Sequence, residues 1–254
     1  MQKIKILLCG ALGAMGQNVI QCANAQDKFE ISCGFDLKEC EYFGIKIHSD
    51  LESVTEDVDV VIDFSHCSVT DKITEWCVNN KKPLVCAVTG LSAESEAKIK
   101  DASNRIPVFR SANFSYGVSV LKKLTEQAAE LLGEGFDIEL TETHHNKKAD
   151  APSGTAKMLL AAVESKLPYT AEEKYGRNPQ SGKRAQNEIG VHSIRGGGIC
   201  GEHELLFISD EEVITIKHTA LNKAVFAKGS LRAAEYIMLK ENGFYDMEGM
   251  INGK

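Results

Sequence analysis

The chain has 254 residues, 43% of them hydrophobic and only 5 of them proline, which is enough apolar material for one large or two moderate domains. Lys and Arg total 29 against 36 Asp and Glu, and the formal charge of −7 argues against a mainly electrostatic grip on nucleic acid or anionic lipid, while a local basic pocket is still allowed. No run of about 18 or more apolar residues marks a membrane span, and the start "MQKIKILLCG" reaches glycine too soon for a signal peptide, so the cytoplasm is the expected compartment.

The stretch "KIKILLCGALGAMGQNVIQCA" opens with a run, Ile4 to Leu8, that is apolar at every position but Lys5, as a strand buried on both faces of a parallel sheet requires. Gly10, Gly13 and Gly16 follow, and then a helical pattern. Such a strand, glycine turn and helix brings backbone N–H groups and a positive helix end against a pyrophosphate; a plain tight turn is the alternative. The next strand, "FEISCGFD", ends in Asp36, about twenty residues past the last glycine, where a dinucleotide fold places an acid on the adenosine ribose. Lys38 stands ready to neutralise a 2′-phosphate, so Asp36 favours NADH without excluding NADPH.

Further strands are predicted in "VDVVIDFS" (58–65), "PLVCAVTG" (83–90) and "IPVFRSANFS" (106–115), separated by helical stretches, which is the rhythm of a doubly wound, Rossmann-like α/β sheet. Ligands in such sheets bind at the carboxyl ends of strands, so Phe64, Ser65, Thr89, Gly90, Asn113 and Phe114 are candidates for the nicotinamide side. The eight cysteines never form close C-x-x-C pairs and read as small core hydrophobes rather than zinc ligands or disulfides.

After an amphipathic helix in "GVSVLKKLTEQAAELLG" the chain changes character. "FDIELTETHHN" alternates as a strand does, and "SGTAKMLLAAVESKL" reads as a helix. The polar stretch 168–188 is the best candidate for mobility, and "IGVHSIRGGGICGEHELLFIS" with "EVITIKHTA" alternate as antiparallel strands would. These segments predict a second, α+β domain on an open mixed sheet whose free face invites homo-oligomer packing. The final segment, "FAKGSLRAAEYIMLKENGFYDM", reads as helical and returns to the first domain. The expected domains are residues 1–115 with 222–254 for the dinucleotide, and 116–221 for substrate and oligomerisation.

The segment "HHNKKADAPSGTA" (144–156) runs from a strand end into a helix start. Pro152 and Ser153 are helix-start residues, Gly154 and Thr155 offer N–H donors to an anion, and Lys148 adds a full positive charge, so together they form a carboxylate receptor. His144 and His145 adjoin it and can move a proton near neutral pH. Neighbouring strand residues point to opposite faces, which predicts different tasks for the two histidines. Metal ligation competes as a use for them, but no third ligand lies at a persuasive spacing. A non-catalytic dinucleotide sensor would need the first domain but not this segment, and a Ser153 hydrolase lacks a nucleophile elbow.

The run "ETHHNKKADAPSGTA", with "GALGAMG", "IDFS", "ANFSYGV" and "GEHELLF", closely resembles the dihydrodipicolinate reductase family over nearly the whole chain. The resemblance implies an oxidoreductase using NADH or NADPH, with the acid/base histidine at His144 and the catalytic lysine at Lys148. His145, Ser153, Gly154 and Thr155 then match the positions that hold the substrate carboxylates. Cofactor contacts fall on Gly10, Ala11, Leu12, Gly13, Ala14, Met15, Asp36, Lys38, Ala87, Val88, Thr89, Ala112, Asn113 and Phe114. A homotetramer built through the open sheet and a hinge between domains are implied as well. Ala14 stands where the family usually has arginine, and Ala87 and Val88 replace a Gly-Thr pair, so cofactor preference is the property these departures touch.

Overall fold

The computed structural model describes residues 2–253. In chain order the elements are β1 (Ile4–Cys9), α1 (Ala14–Asn24), β2 (Phe29–Phe35), β3 (Cys40–Tyr42), β4 (Ile45–His48), β5 (Val60–Asp63), α2 (Thr70–Asn79), β6 (Leu84–Cys86), α3 (Ala93–Ala102) and β7 (Pro107–Arg110). Then come α4 (Tyr116–Leu132), β8 (Asp137–His144), α5 (Gly154–Glu164), β9 (Glu172–Tyr175), β10 (Glu188–Arg195), β11 (Gly201–Ile208) and β12 (Val213–Ala220), followed by α6 (Ala224–Ile237), β13 (Gly243–Tyr245) and α7 (Met247–Ile251). The chain divides into two compact units, Met1–Tyr116 with Lys223–Lys254, and Gly117–Asn222.

The first unit is an eight-stranded sheet in the order β13-β7-β6-β5-β1-β2-β4-β3, parallel except for the β3–β4 pair. Both faces of β1 are covered. Ile6 and Leu8 pack with Val19 and Ile20 of α1 and Leu231 of α6, whereas Leu7 and Cys9 pack with Ile73 and Cys77 of α2 and Ile99 of α3. That double burial explains the apolar run from Ile6 to Cys9, where every position is buried, while Lys5 near the strand start stays partly exposed and pairs with Asp57. Truncating any of these buried aliphatic side chains would cost about 2–5 kcal/mol.

The second unit holds a five-stranded sheet in the order β12-β11-β8-β10-β9. One face of it, through Ile138, Leu140, Ile189, Val191, Leu205 and Phe207, packs on Leu121 and Ala129 of α4 and Leu159, Leu160 and Val163 of α5. The sheet is mixed: β11 runs antiparallel to β8 and β12, but β10 runs parallel to β8. The antiparallel expectation for β10 is therefore corrected, since β8 inserts between β10 and β11.

Three other features depart from the sequence pattern. The β3–β4 hairpin turns at Phe43 and Gly44, both at positive φ, the backbone a two-residue hairpin turn favours. Strand β9 lies inside the polar stretch expected to be mobile, and it has no apolar alternation because parallel backbone pairing with β10 holds it. Strand β13 interrupts the C-terminal segment expected to be helical throughout, pairing as a short edge strand with β7. All eight cysteines are free, and Cys9, Cys22, Cys33, Cys77 and Cys86 are buried. Among the described residues no helix is long and apolar enough to cross a membrane.

Asp63 ends β5 fully buried, with Oδ1 accepting the Ser65 N–H at 2.8 Å and Oδ2 lacking a hydrogen-bond partner. Burial pushes its pKa from 3.8 up to about 6, against the opposing pull of Ser65 and Arg110. The folded state then binds this proton more tightly than the unfolded state. Its stabilising contribution is complete below about pH 3.8 and is lost as pH rises through about 6, a change worth about 3 kcal/mol. Urea unfolding should show Asp63→Asn losing less stability than wild type between about pH 4 and pH 7. Equal pH slopes for the two proteins would mean that Asp63 titrates as an ordinary carboxyl.

Candidate active site

In the first unit the glycine turn closes β1 at the point where the strand order reverses, with β2 on one side and β5 on the other. Gly10 has φ +75°, and a Cβ there would lie 2.5 Å from the Phe64 carbonyl oxygen; a Cβ on Gly16 would lie 2.2 Å from the Gly10 oxygen. Those two glycines are demanded by the turn itself. Gly13 is different. It is exposed and serves as N-cap of α1 with no side chain to cap the helix, which leaves first-turn N–H groups facing outward. That is the donor set an anion such as a pyrophosphate requires.

Asp36 follows β2 directly. Its Oδ2 accepts the Leu12 N–H at 2.8 Å and its Oδ1 accepts the Leu37 N–H at 2.8 Å. These bonds fix the carboxylate against the glycine turn with lone pairs left for a ribose hydroxyl. Lys38 is exposed and forms no ion pair with Asp36 among the described residues. The turn, its uncapped helix and the fixed acid fit a dinucleotide. Within the expected cofactor set, Ala11, Ala87, Val88 and Phe114 have buried side chains, so only their backbone can meet a ligand. Leu12, Met15 and Asn113 are half-buried, while Ala14, Thr89 and Ala112 are exposed.

In the second unit the covered face of the sheet turns polar beyond the reach of α5. The β8 residues Glu142 and His144 share that face with Ile138 and Leu140. Register places His203 of β11 beside Glu142, and Arg195 of β10 beside His144. Glu142 is fully buried. It bonds His144 Nδ1, takes two bonds from Arg195 (Nη1 to Oε2 at 3.0 Å, Nη2 to Oε1 at 2.7 Å), and accepts the Ser153 N–H at 3.2 Å. Burial opposes the charge on Glu142, but its bonds to Arg195, Ser193 and His144 outweigh that and hold the pKa down at about 2.

His144 is lowered below the usual histidine range, first by burial, with Lys148 and Arg195 adding to that and Glu142 opposing it. His203 is driven down to about 4 by burial and by His144. It is therefore neutral near pH 7, and its Nε2 lies 3.0 Å from Ser153 Oγ. Ser153 is the N-cap of α5, its hydroxyl oxygen accepting the Ala156 N–H at 3.1 Å. Lys148 is paired with Asp150 at 2.8 Å, and Arg195 reaches back to donate to the Asp150 carbonyl at 2.6 Å. His145 lies past the strand end with a buried Nδ1 that finds no partner.

Glu142 thus joins His144 and the start of α5 through one carboxylate, with Lys148 close enough to act electrostatically on His144. Glu142, Arg195, Ser193 and His203 belong to the same cluster, although none of them was a sequence candidate. The absence of a third potential metal ligand is also corrected, since Glu142, His144 and His203 each bring a ligand atom within 4.8 Å of the others. Arg195 already occupies both Glu142 oxygens, and that cationic neighbour opposes a metal ion. A second cluster of Cys33, His48 and Glu56 contains a histidine already bonded at both nitrogens, to Ser53 and Glu56 at 2.9 Å each, as a satisfied core histidine is.

Residues 4–114 match the family described as dihydrodipicolinate reductase, N-terminus, and residues 117–251 match dihydrodipicolinate reductase, C-terminus. The chain is 43% identical over 248 residues to the 4-hydroxy-tetrahydrodipicolinate reductase of Caldanaerobacter subterraneus subsp. tengcongensis, covering 98% of each chain. It is 39% identical over 249 residues to that of Clostridium tetani, covering 98% of this chain and 97% of the relative. Among solved structures, dipicolinate-bound dihydrodipicolinate reductase from Paenisporosarcina sp. TG-14 shares the fold with a TM-score of 0.83 at 24% identity, over 98% of this chain and 100% of that one.

Gly154 yields a test of the anion-binding reading. Its φ is not positive and a Cβ there would meet nothing within 4 Å, so neither strain nor packing explains a glycine at the first position of α5. Gly154→Ala should leave the melting temperature unchanged or raise stability by up to about 1 kcal/mol. Calorimetric affinity for a cyclic dicarboxylate should fall about tenfold, or about 1.4 kcal/mol. Unchanged affinity would remove this helix start from the binding site.

Proposed function

Because the chain belongs to the dihydrodipicolinate reductase family, matched through both halves, we infer that it is an NAD(P)H-dependent oxidoreductase of lysine and diaminopimelate biosynthesis. It reduces a cyclic unsaturated imino dicarboxylate to tetrahydrodipicolinate. The observation that carries the assignment of roles is the buried Glu142 carboxylate holding His144 beside Lys148 and the start of α5.

The reduced nicotinamide supplies a hydride when bound. The first unit would hold it through the backbone of the turn Gly10–Met15, the Asp36 carboxylate and the loops at Ala87–Thr89 and Ala112–Phe114. The second unit's own residues manage charge. The substrate carries two carboxylates, and the N–H groups at Gly154 and Thr155, with Lys148, His145 and Ser153, give them donors and positive potential. Reduction of the conjugated ring builds electron density that a proton must quench, and His144 and Lys148 are the donors within this cluster. In the free protein, burial and the nearby cations favour the neutral form of His144, with Glu142 opposing them. A bound dianion offsets those cations and favours protonation at His144 Nε2, since Nδ1 is already engaged by Glu142.

The protein works in the cytoplasm as a homotetramer. Supporting the tetramer is the sheet face turned away from α4 and α5, where Ile194 and Val213 are exposed and Leu206 and Ile208 half-buried amid Thr141, Thr143, Thr215 and the Lys217 pair with Glu202 and Glu204. Apolar groups so arranged on an uncovered sheet suit packing against a second copy.

Purified protein supplied with dihydrodipicolinate synthase, pyruvate and aspartate semialdehyde should oxidise NADH and NADPH, and absorbance that stays constant with both cofactors would sink the assignment. His144→Ala and Lys148→Ala should each lower kcat by about a hundredfold or more, the scale of a lost proton donor. A folded His144→Ala protein with full kcat would leave the histidine a structural role only. For the cofactor, Asp36 is fixed where it repels a 2′-phosphate and Lys38 offsets part of that repulsion; an exposed charge of this kind is worth about 1 kcal/mol or less. Both cofactors should be used, with a modest preference for NADH in kcat/KM. A preference for NADPH beyond about tenfold would show that Lys38 outweighs Asp36.

A further inference from the structure

Glu142 is the most connected side chain of the cluster, yet it is fully buried and so reaches no ligand. A carboxylate only accepts hydrogen bonds, and a neutral imidazole donates from one nitrogen and accepts at the other. The contact between Glu142 and His144 Nδ1 therefore places the imidazole proton on Nδ1. The His144 ring hydrogen-bonds through Nδ1 to Glu142, and Nε2 is left as the nitrogen that exchanges a proton. The arrangement needs Glu142 ionised, and an ionised carboxylate is costly to bury unless its oxygens are paired. Arg195 meets both oxygens, at 3.0 and 2.7 Å, and the Ser153 N–H meets Oε1. The Arg195 guanidinium also donates to the Asp150 carbonyl, so one side chain ties the carboxylate to the loop that carries Lys148.

We propose that Glu142 and Arg195 are the positioning pair of this site: Glu142 fixes the tautomer and raises the proton affinity of His144, and Arg195 fixes Glu142 and the 145–153 loop together. This rests on the reading of His144 as a proton donor. Neither residue touches the reacting atoms, and each acts through a neighbour. The charged and titratable groups facing His144 are Glu142 on its own strand, Arg195 on β10, His203 on β11 with His218 paired behind it on β12, and Lys148 on the following loop. Glu142 alone among them is an anion, so it is the group whose loss lowers the affinity of His144 for a proton. Loss of Arg195 acts in the opposite sense on that affinity while loosening the geometry.

The two functions are separable by measuring His144 directly. Nitrogen and carbon NMR of the free full-length protein, with no cofactor or substrate added, reports the tautomer and titration of His144. Wild type should show the proton on Nδ1. E142Q should lower the His144 pKa by about one pH unit or more and shift the alkaline limb of the kcat profile downward by the same amount, with KM changed less than about threefold. R195M should raise the His144 pKa and still reduce kcat about tenfold or more, because the carboxylate and loop lose their shared anchor. Should E142Q fail to fold, E142D carries the test: it keeps the charge but draws it back by one methylene, so kcat should fall while the Nδ1–H population declines. An unchanged His144 titration and tautomer in the folded Glu142 variant, or a lowered His144 pKa in R195M, overturns the proposal. The spectra require no turnover, so that result is distinct from failure of the reductase reading, which is decided by cofactor oxidation in wild type alone.

Discussion

A single buried negative charge organises the second unit. The inward face of β8 runs Ile138, Leu140, Glu142, His144, and the first two are ordinary core residues under α5. The strand period then forces an acid into the same layer. Its desolvation cost has to be offset locally, and three separate parts of the chain do so: Arg195 from β10, the Ser153 backbone from the start of α5, and His144 two residues on. Because each partner comes from a different element, satisfying the charge also sets the strand register, the helix start and the loop between them. The site is therefore a consequence of folding around Glu142, and its residues cannot drift independently.

The first unit uses geometry where the second uses charge. Close approach of β1, α1 and β5 at the glycine turn leaves no room for Cβ atoms at Gly10 or Gly16, and the Asp36 carboxylate secures the turn from the side through the Leu12 N–H. Asp36 thus has a role even with no ligand present, since it terminates β2 and holds the turn. An acid fixed for structural reasons would also be preorganised for a ribose, because little side-chain entropy would remain to be lost on binding.

Most of the first unit was legible in the sequence because burial on both faces writes itself as continuous apolar runs, as in β1, and because strand ends and glycines punctuate them. Strands β3, β9 and β13 were not legible. Each has only three or four residues, lies near a sheet edge and is held by backbone pairing that leaves no side-chain pattern. In the site, "HHNKKADAPSGTA" stood out through residue type and order, and the structure places His144 at the end of β8 and Ser153 at the cap of α5. Glu142 carried a signal that was available: an acid in phase with the apolar positions of a strand points inward, and a buried acid needs cations. Arg195 and His203 carried none. Their arrival depends on β10 lying parallel to β8 and β11 antiparallel to it, and local periodicity does not encode which neighbour a strand chooses.

The charge balance of the chain and that of the site point in opposite directions, and Glu142 explains how both hold. A net charge of −7 would repel a dicarboxylate at long range, but such repulsion is screened within about 10 Å at 0.1 M salt. At short range the field is set by groups in contact. Glu142 is the one anion buried beneath the site, and its charge is spent inward on Arg195, Ser153 and His144, so little of it projects toward solvent. What remains outward is Lys148 and the positive end of α5. Lys148 is itself held by exposed Asp150 at 2.8 Å, a pair that water weakens and that an incoming carboxylate can displace. A buried acid that holds cations in place, together with an exposed acid whose hold on its lysine water weakens, leaves a local concentration of positive potential on an acidic protein, which is what an anion receptor would require.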